Sequence, residues 1–206
     1  MAGALAGAVV ATNLVDFEAD EERIGLLNAN LATSWSHRAT AAALILGGGM
    51  AALRARRAGQ RRTWWCATAA GLILLFVIEM SPVHAQIDRL SYGKLVYVPL
   101  LICLVMCVVR LLEDSGQATA LRVALACLAV SYAVHVLGPA AVRALGWETD
   151  SWVYQLKVGL KEGMELSGWA LLTWALWPGA AAHLDHGLGA TSKLTRWAVG
   201  RVNGTH

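Results

Sequence analysis

Long apolar runs separated by short polar stretches dominate the pattern of this chain. A bilayer core about 30 Å thick takes a helix of roughly 20 mostly apolar residues. The runs at about 63–80, 95–112, 120–137 and 152–177 reach or approach that length, and a fifth at 36–53 is shorter in strictly apolar residues. Met1–Val15 is apolar, has no basic stretch ahead of it as a signal peptide would, and reads as a short first span. None of the runs alternates with the dyad period of a membrane barrel. The pattern therefore predicts an all-α, polytopic integral membrane helical bundle of about six transmembrane helices, or five if 1–15 does not span. It fills residues 1–180, and 181–206 form a cytoplasmic basic tail.

Composition narrows the class. Of 206 residues, 57% are hydrophobic and 15% charged, with mean hydropathy +0.51, against about 25% charged in a soluble domain. That excludes a soluble enzyme, a disordered chain and a disulfide-stapled secreted module. The net charge of +3 is not a nucleic-acid footprint, because the basic residues sort by membrane side. Arg54, Arg56, Arg57, Arg61 and Arg62 mark one loop as cytoplasmic, and Arg110, Arg122, Lys193, Arg196 and Arg201 fall on the same side. The opposite loops carry Asp16, Glu18, Asp20, Glu21 and Glu22, then Asp88, then Glu148 and Asp150. Both termini are then cytoplasmic in the cell (plasma) membrane. Trp64, Trp65, Trp174 and Trp177 mark the inner interface, and Trp35, Trp147 and Trp152 the outer. Cys66, Cys103, Cys107 and Cys127 fall within spans and read as packing residues. Pro82 and Pro139 read as outer helix ends, Pro178 as an inner one, and Pro99 as a first-turn residue.

Charges inside spans cost at least about 2.5–3.5 kcal/mol each and normally face a partner or cavity. The last span holds Lys157, Lys161, Glu162 and Glu165, within an arc of about 140° at 100° per residue. At 1.5 Å per residue from Trp152, Glu165 lies about 20 Å down, near the midplane. Lys161 and Glu165 have the i, i+4 spacing of an ion pair. Glu79 lies deep in the third run. Two lysines against three glutamates leave a residual −1, to be neutralised by a proton, a cation or a metal. Gly159, Gly163 and Ser167 form a small-x-x-x-small face for close packing, and a homo-oligomer through that face is one expectation. His84 and Asp88 at i, i+4, with His135 and His37 on the same outer half, form a candidate metal set that suits zinc, iron or manganese. His183-Leu184-Asp185-His186 reads as an interfacial turn, and 191–202 as a basic segment on anionic lipid.

On these residues the chain resembles a group of uncharacterised bacterial polytopic membrane proteins, whose setting would be the bacterial inner membrane. That group combines an acidic N-terminal outer loop, a third-span acid with His five residues later, and a Glu-Glu-x-x-Glu final helix. The matching positions are Asp16 to Glu22, Glu79 with His84, and Glu162 with Glu165. Lys161 stands where the first Glu of the final helix would be, and Ala85 follows His84 where an acid is common. Both departures count against a symmetric multi-carboxylate metal centre. The resemblance implies the layout and the site but no activity. The paired His-x-x-x-His of alkaline ceramidase-like hydrolases is missing from the last run.

Three functions fit these residues. The first is a proton-, cation- or small-solute-handling transporter with a buried Glu/Lys/His site open to the outer face. The second is a membrane-embedded metal-dependent hydrolase acting on a lipid, with Glu79 as general base. The third is a non-catalytic membrane subunit or assembly factor. The lipid bilayer is the expected partner in all three.

Overall fold

The computed structural model describes residues 1–18, 26–29, 34–56, 58–81, 95, 97–112, 117–147 and 151–177. Among these the chain is all-helical, with no strand. The helices are α1 (Ala2–Glu18), α2 (Trp35–Ala55), α3 (Arg62–Met80), α4 (Tyr97–Leu112), α5 (Ala118–Ala144) and α6 (Trp152–Leu176), and a 3-10 turn at Gly59–Arg61 leads into α3. Serine side chains set two of the starts. Ser34 Oγ accepts from the His37 amide and Ser151 Oγ from the Tyr154 amide, each at 3.3 Å, satisfying donors that a first turn leaves unpaired.

Helix α6 is the hub, packed against α1, α2 and α5, while α3 lies between α2 and α4. Leucines and small residues fill the centre: Leu72, Leu104, Leu112, Leu172 and Leu176 are nearly or wholly buried beside Ala51 and Ala124. Where the ends of α2 and α6 meet, Arg54 Nη2 donates to the Trp177 carbonyl at 3.0 Å and its guanidinium stacks 5.0 Å from the Trp65 ring. A cation thus caps the carbonyl end of α6.

Large apolar side chains are also exposed, and several polar ones are buried. Leu46, Leu74, Val77, Ile102, Met106 and Leu137 are exposed, whereas Asn13, Asp16, Ser36, Thr40, Thr68 and Ser167 are buried. Two helical segments, Gly59–Met80 and Ala118–Ala144, are long and apolar enough to cross a membrane, and the shorter Tyr97–Leu112 is also apolar. The charges of α6 lower its hydropathy, and α1 is 17 residues long.

Several expectations need correction. Helix α5 runs through Pro139 to Ala144 instead of ending near 137. The ring removes one amide donor near the helix end, a local loss that leaves the last turns intact. Pro99 does sit in the first turn of α4. Trp65 is a core residue, 6% exposed, and Trp35 is anchored to α1 by Nε1 donating to Thr12 Oγ1 at 3.0 Å. Asp16 belongs to α1 and is buried, not part of an exposed loop. Among the cysteines, all free, Cys66 and Cys103 are exposed while Cys107 and Cys127 are buried.

Candidate functional site

The site is built where the start of α2 and the end of α3 meet the middle of α6. The short connection after α2 folds α3 back along it, so His37 near the start of α2 meets Glu79 near the end of α3. His37 Nδ1 lies 3.0 Å from Glu79 Oε1. A carboxylate only accepts, so the imidazole nitrogen is the donor. One helix away, Lys161 Nζ donates to Glu162 Oε1 at 2.7 Å and lies 3.2 Å from Glu165 Oε2, at the i, i+4 spacing. Side-chain exposure across these five residues is only 12–21%. The two groups share one electrostatic neighbourhood: Glu162 and Glu165 act on His37, and Glu79 acts on Glu162.

A half-open cavity adjoins the cluster, with about 130 Å³ open to the centres of water-sized molecules. Glu79, Lys161 and Glu165 line it together with Ser131, Tyr132 and His135 of α5. One water centre needs about 10–15 Å³, so several waters or a small solute fit. Tyr97, Leu101 and Trp169 close its apolar side.

Lys157 stands apart from this group. Its aliphatic stem packs over Gly138 of α5, and its ammonium lies 4.3 Å from the Tyr154 ring centroid. The charge balance around the cavity changes accordingly. Among the described residues, three carboxylates, Glu79, Glu162 and Glu165, face one lysine, Lys161, and two histidines, His37 paired with Glu79 and His135 on the cavity wall. For these residues the balance is −2 with both histidines neutral, −1 with one protonated and zero with both protonated. Burial in this setting favours uptake of a proton or a cation.

The candidate metal set is divided. His84 and Asp88 lie outside the described residues, as does the His183–His186 turn. His37 is engaged with Glu79 and His135 lines the cavity. Among the described residues, no group of three or more His, Cys, Asp or Glu side chains is placed to hold a metal ion.

The small-residue face of α6 is covered by the chain's own first helix. A Cβ on Gly159 would lie 3.0 Å from Val10 Cα, and one on Gly163 would lie 2.8 Å from the Cα and carbonyl oxygen of Ala6. Ser167 Oγ donates to the Ala2 carbonyl at 2.8 Å. Read in order, these contacts run α1 antiparallel to α6. Asn13 extends the seam, donating to the Gln155 carbonyl at 2.9 Å and accepting from the Ala29 amide at 2.9 Å. A second copy cannot use this face while α1 occupies it.

The His37–Glu79 pairing carried a sequence signal that spacing within one helix does not reveal. Both residues are equally far from Ala58, at the turn between the two helices, so a hairpin brings them level. The contributions of Tyr97 and Trp169 had no such signal, because they depend on how α4 leans against α3.

A family model described as "Domain of unknown function (DUF8692)" matches residues 2–178. The chain belongs to this family. The match takes in every helix described above and both parts of the cluster. No curated protein and no solved structure matches the chain.

Proposed function

We propose that this DUF8692 protein is an integral membrane transporter whose His37–Glu79 and Lys161–Glu162–Glu165 cluster handles a proton or cation coupled to a small polar solute. The observation that carries this reading is a largely buried cluster in which, among the described residues, three carboxylates outnumber one lysine, beside a cavity large enough for several waters. Such a site holds its charge by binding a proton or cation, and releases it when the cavity's access or solvation changes.

The many exposed leucines, valines and methionines of the long apolar helices support a lipid setting, which would cover them. In this reading all six helices cross or enter the bilayer, and mutual pairing of Lys161 with Glu162 and Glu165 lets α6 do so despite its charges. By the positive-inside bias, the arginines between α2 and α3 support a cytoplasmic position for that connection and, in this reading, for the C-terminal tail. The cavity then faces outward.

Reconstituting the full chain in vesicles with an internal pH dye tests this. An imposed pH gradient should drive flux in wild type and in Ser167→Ala, and Glu165→Gln should lose it while keeping its helical content. Equal flux through wild type and Glu165→Gln overturns the proposal.

A further inference from the structure

Beside the polar cavity lies a second space of very different character. It measures about 370 Å³ on the same basis and is lined by residues of α4, α5 and α6. Its wall is apolar, including Ile102, Val105, Val108, Leu125, Ala129 and Leu172. It exists because α4 leans on α3 and meets α5 only marginally, leaving a cleft between the two helices.

The two spaces are continuous in their walls. Leu101, Leu128, Tyr132 and Trp169 line both. From this shared partition the cleft follows α4 from Val98 to Val108, about 15 Å at 1.5 Å per residue. One end of the combined space therefore presents, among the described residues, Glu79 and Glu165 with Lys161 and His135, and the other presents only hydrocarbon. A small hydrophilic solute uses the first end and leaves the second unfilled; a bare aliphatic chain does the reverse.

We infer that the combined site takes a membrane-dissolved, single-chain amphiphile with a cationic headgroup, a long-chain amine. Its ammonium sits in the Glu79–Glu165 cavity and its aliphatic chain lies in the α4–α5 cleft. The excess carboxylate charge selects the cationic head. The chain pays no desolvation cost on entering from lipid, because both environments are apolar. This inference rests on the cavity as a cation-accepting site and puts an amphiphilic amine in place of a small polar solute as the substrate class. Tyr132 and Trp169, at the junction, would lie along the first part of the chain.

Trp169 is a built-in reporter of occupancy. The full chain is placed in phosphatidylcholine vesicles, and its emission is compared with that of Trp169→Phe to isolate the contribution of Trp169. The probe is octadecylamine brominated at mid-chain, with the equally brominated C18 fatty acid as the control for non-specific proximity. Binding of radiolabelled methylammonium is followed in parallel and reports the head site alone.

The expected result is that the brominated amine quenches most of the Trp169 emission and the brominated acid little of it. Ala129→Phe, which fills the cleft from an outward-facing position, should remove that quenching and leave methylammonium binding intact. Glu165→Gln should weaken both. If methylammonium binds while the amine leaves Trp169 unquenched, the cleft inference fails and the cation site stands. Equal quenching by amine and acid overturns selection by charge. If methylammonium does not bind either, the cation-site reading fails and the inference falls with it.

Discussion

The two faces of α6 solve the same problem by opposite means. On one, Gly159, Gly163 and Ser167 lack side chains that could fill space, so the backbone of α1 approaches to contact. On the other, Lys161, Glu162 and Glu165 are too polar for lipid and satisfy one another across short distances. The first face is complete: its close contacts are made and its Ser167 hydroxyl is bonded. The second is not, because its charges do not sum to zero and a cavity borders them. Closed packing gives stability, and an unbalanced pocket gives a place for something to bind.

The charged face should be the more fragile. Replacing Lys161 by Met leaves Glu162 and Glu165 facing each other without a counter-ion. Loss of one partner of a buried pair costs about 3–5 kcal/mol, measurable as a drop in unfolding free energy in detergent. The neutral combination Lys161→Met, Glu162→Gln and Glu165→Gln should regain most of that loss. If the triple variant is as unstable as Lys161→Met alone, pairing is not what holds this face together.

The small-residue face should respond to volume. The Cβ of Gly163→Ala meets backbone atoms of Ala6, which cannot rotate away, so overpacking of about 1–3 kcal/mol is expected. Gly49→Ala is the contrast, since nothing lies within 4 Å of its Cβ. There the better helix propensity of alanine should leave stability unchanged or raise it by up to about 1 kcal/mol. Thermal unfolding of the two variants side by side checks both, and equal destabilisation would contradict the assigned contacts. The smallest effect belongs to Ser167→Ala, which removes one hydrogen bond to the Ala2 carbonyl and should cost about 0.5–1.5 kcal/mol.

Helix positions were largely legible because apolar length determines them. The run at 63–80 became Arg62–Met80 and that at 152–177 became Trp152–Leu176. Helix α5 exceeded its run because a proline near a helix end deletes one bond without stopping the turns beyond it. The site was legible by residue type but not by partnership. Glu79, Lys161, Glu162 and Glu165 stood out as charges in apolar runs, yet Lys157 lay in the same arc and packs elsewhere. Periodicity places residues on a face but does not say which neighbour meets each part of it. His37 illustrates the converse: a candidate metal ligand by chemistry, it pairs with a glutamate from the adjacent helix because the α2–α3 hairpin sets them level. The partner of the glycine face was equally hidden, since a small-residue ladder accepts any close-packing helix, here the chain's own α1.

The central claim is that the cluster binds and releases a proton or cation, and infrared difference spectroscopy of the full chain in vesicles tests it most directly. Spectra taken at acid and alkaline pH should show a carboxylic-acid C=O band that comes and goes with pH, and that is lost in at least one of Glu79→Gln, Glu162→Gln and Glu165→Gln. No titrating carboxyl band, or one unchanged in all three variants, would contradict the account and leave the charges as packing elements alone.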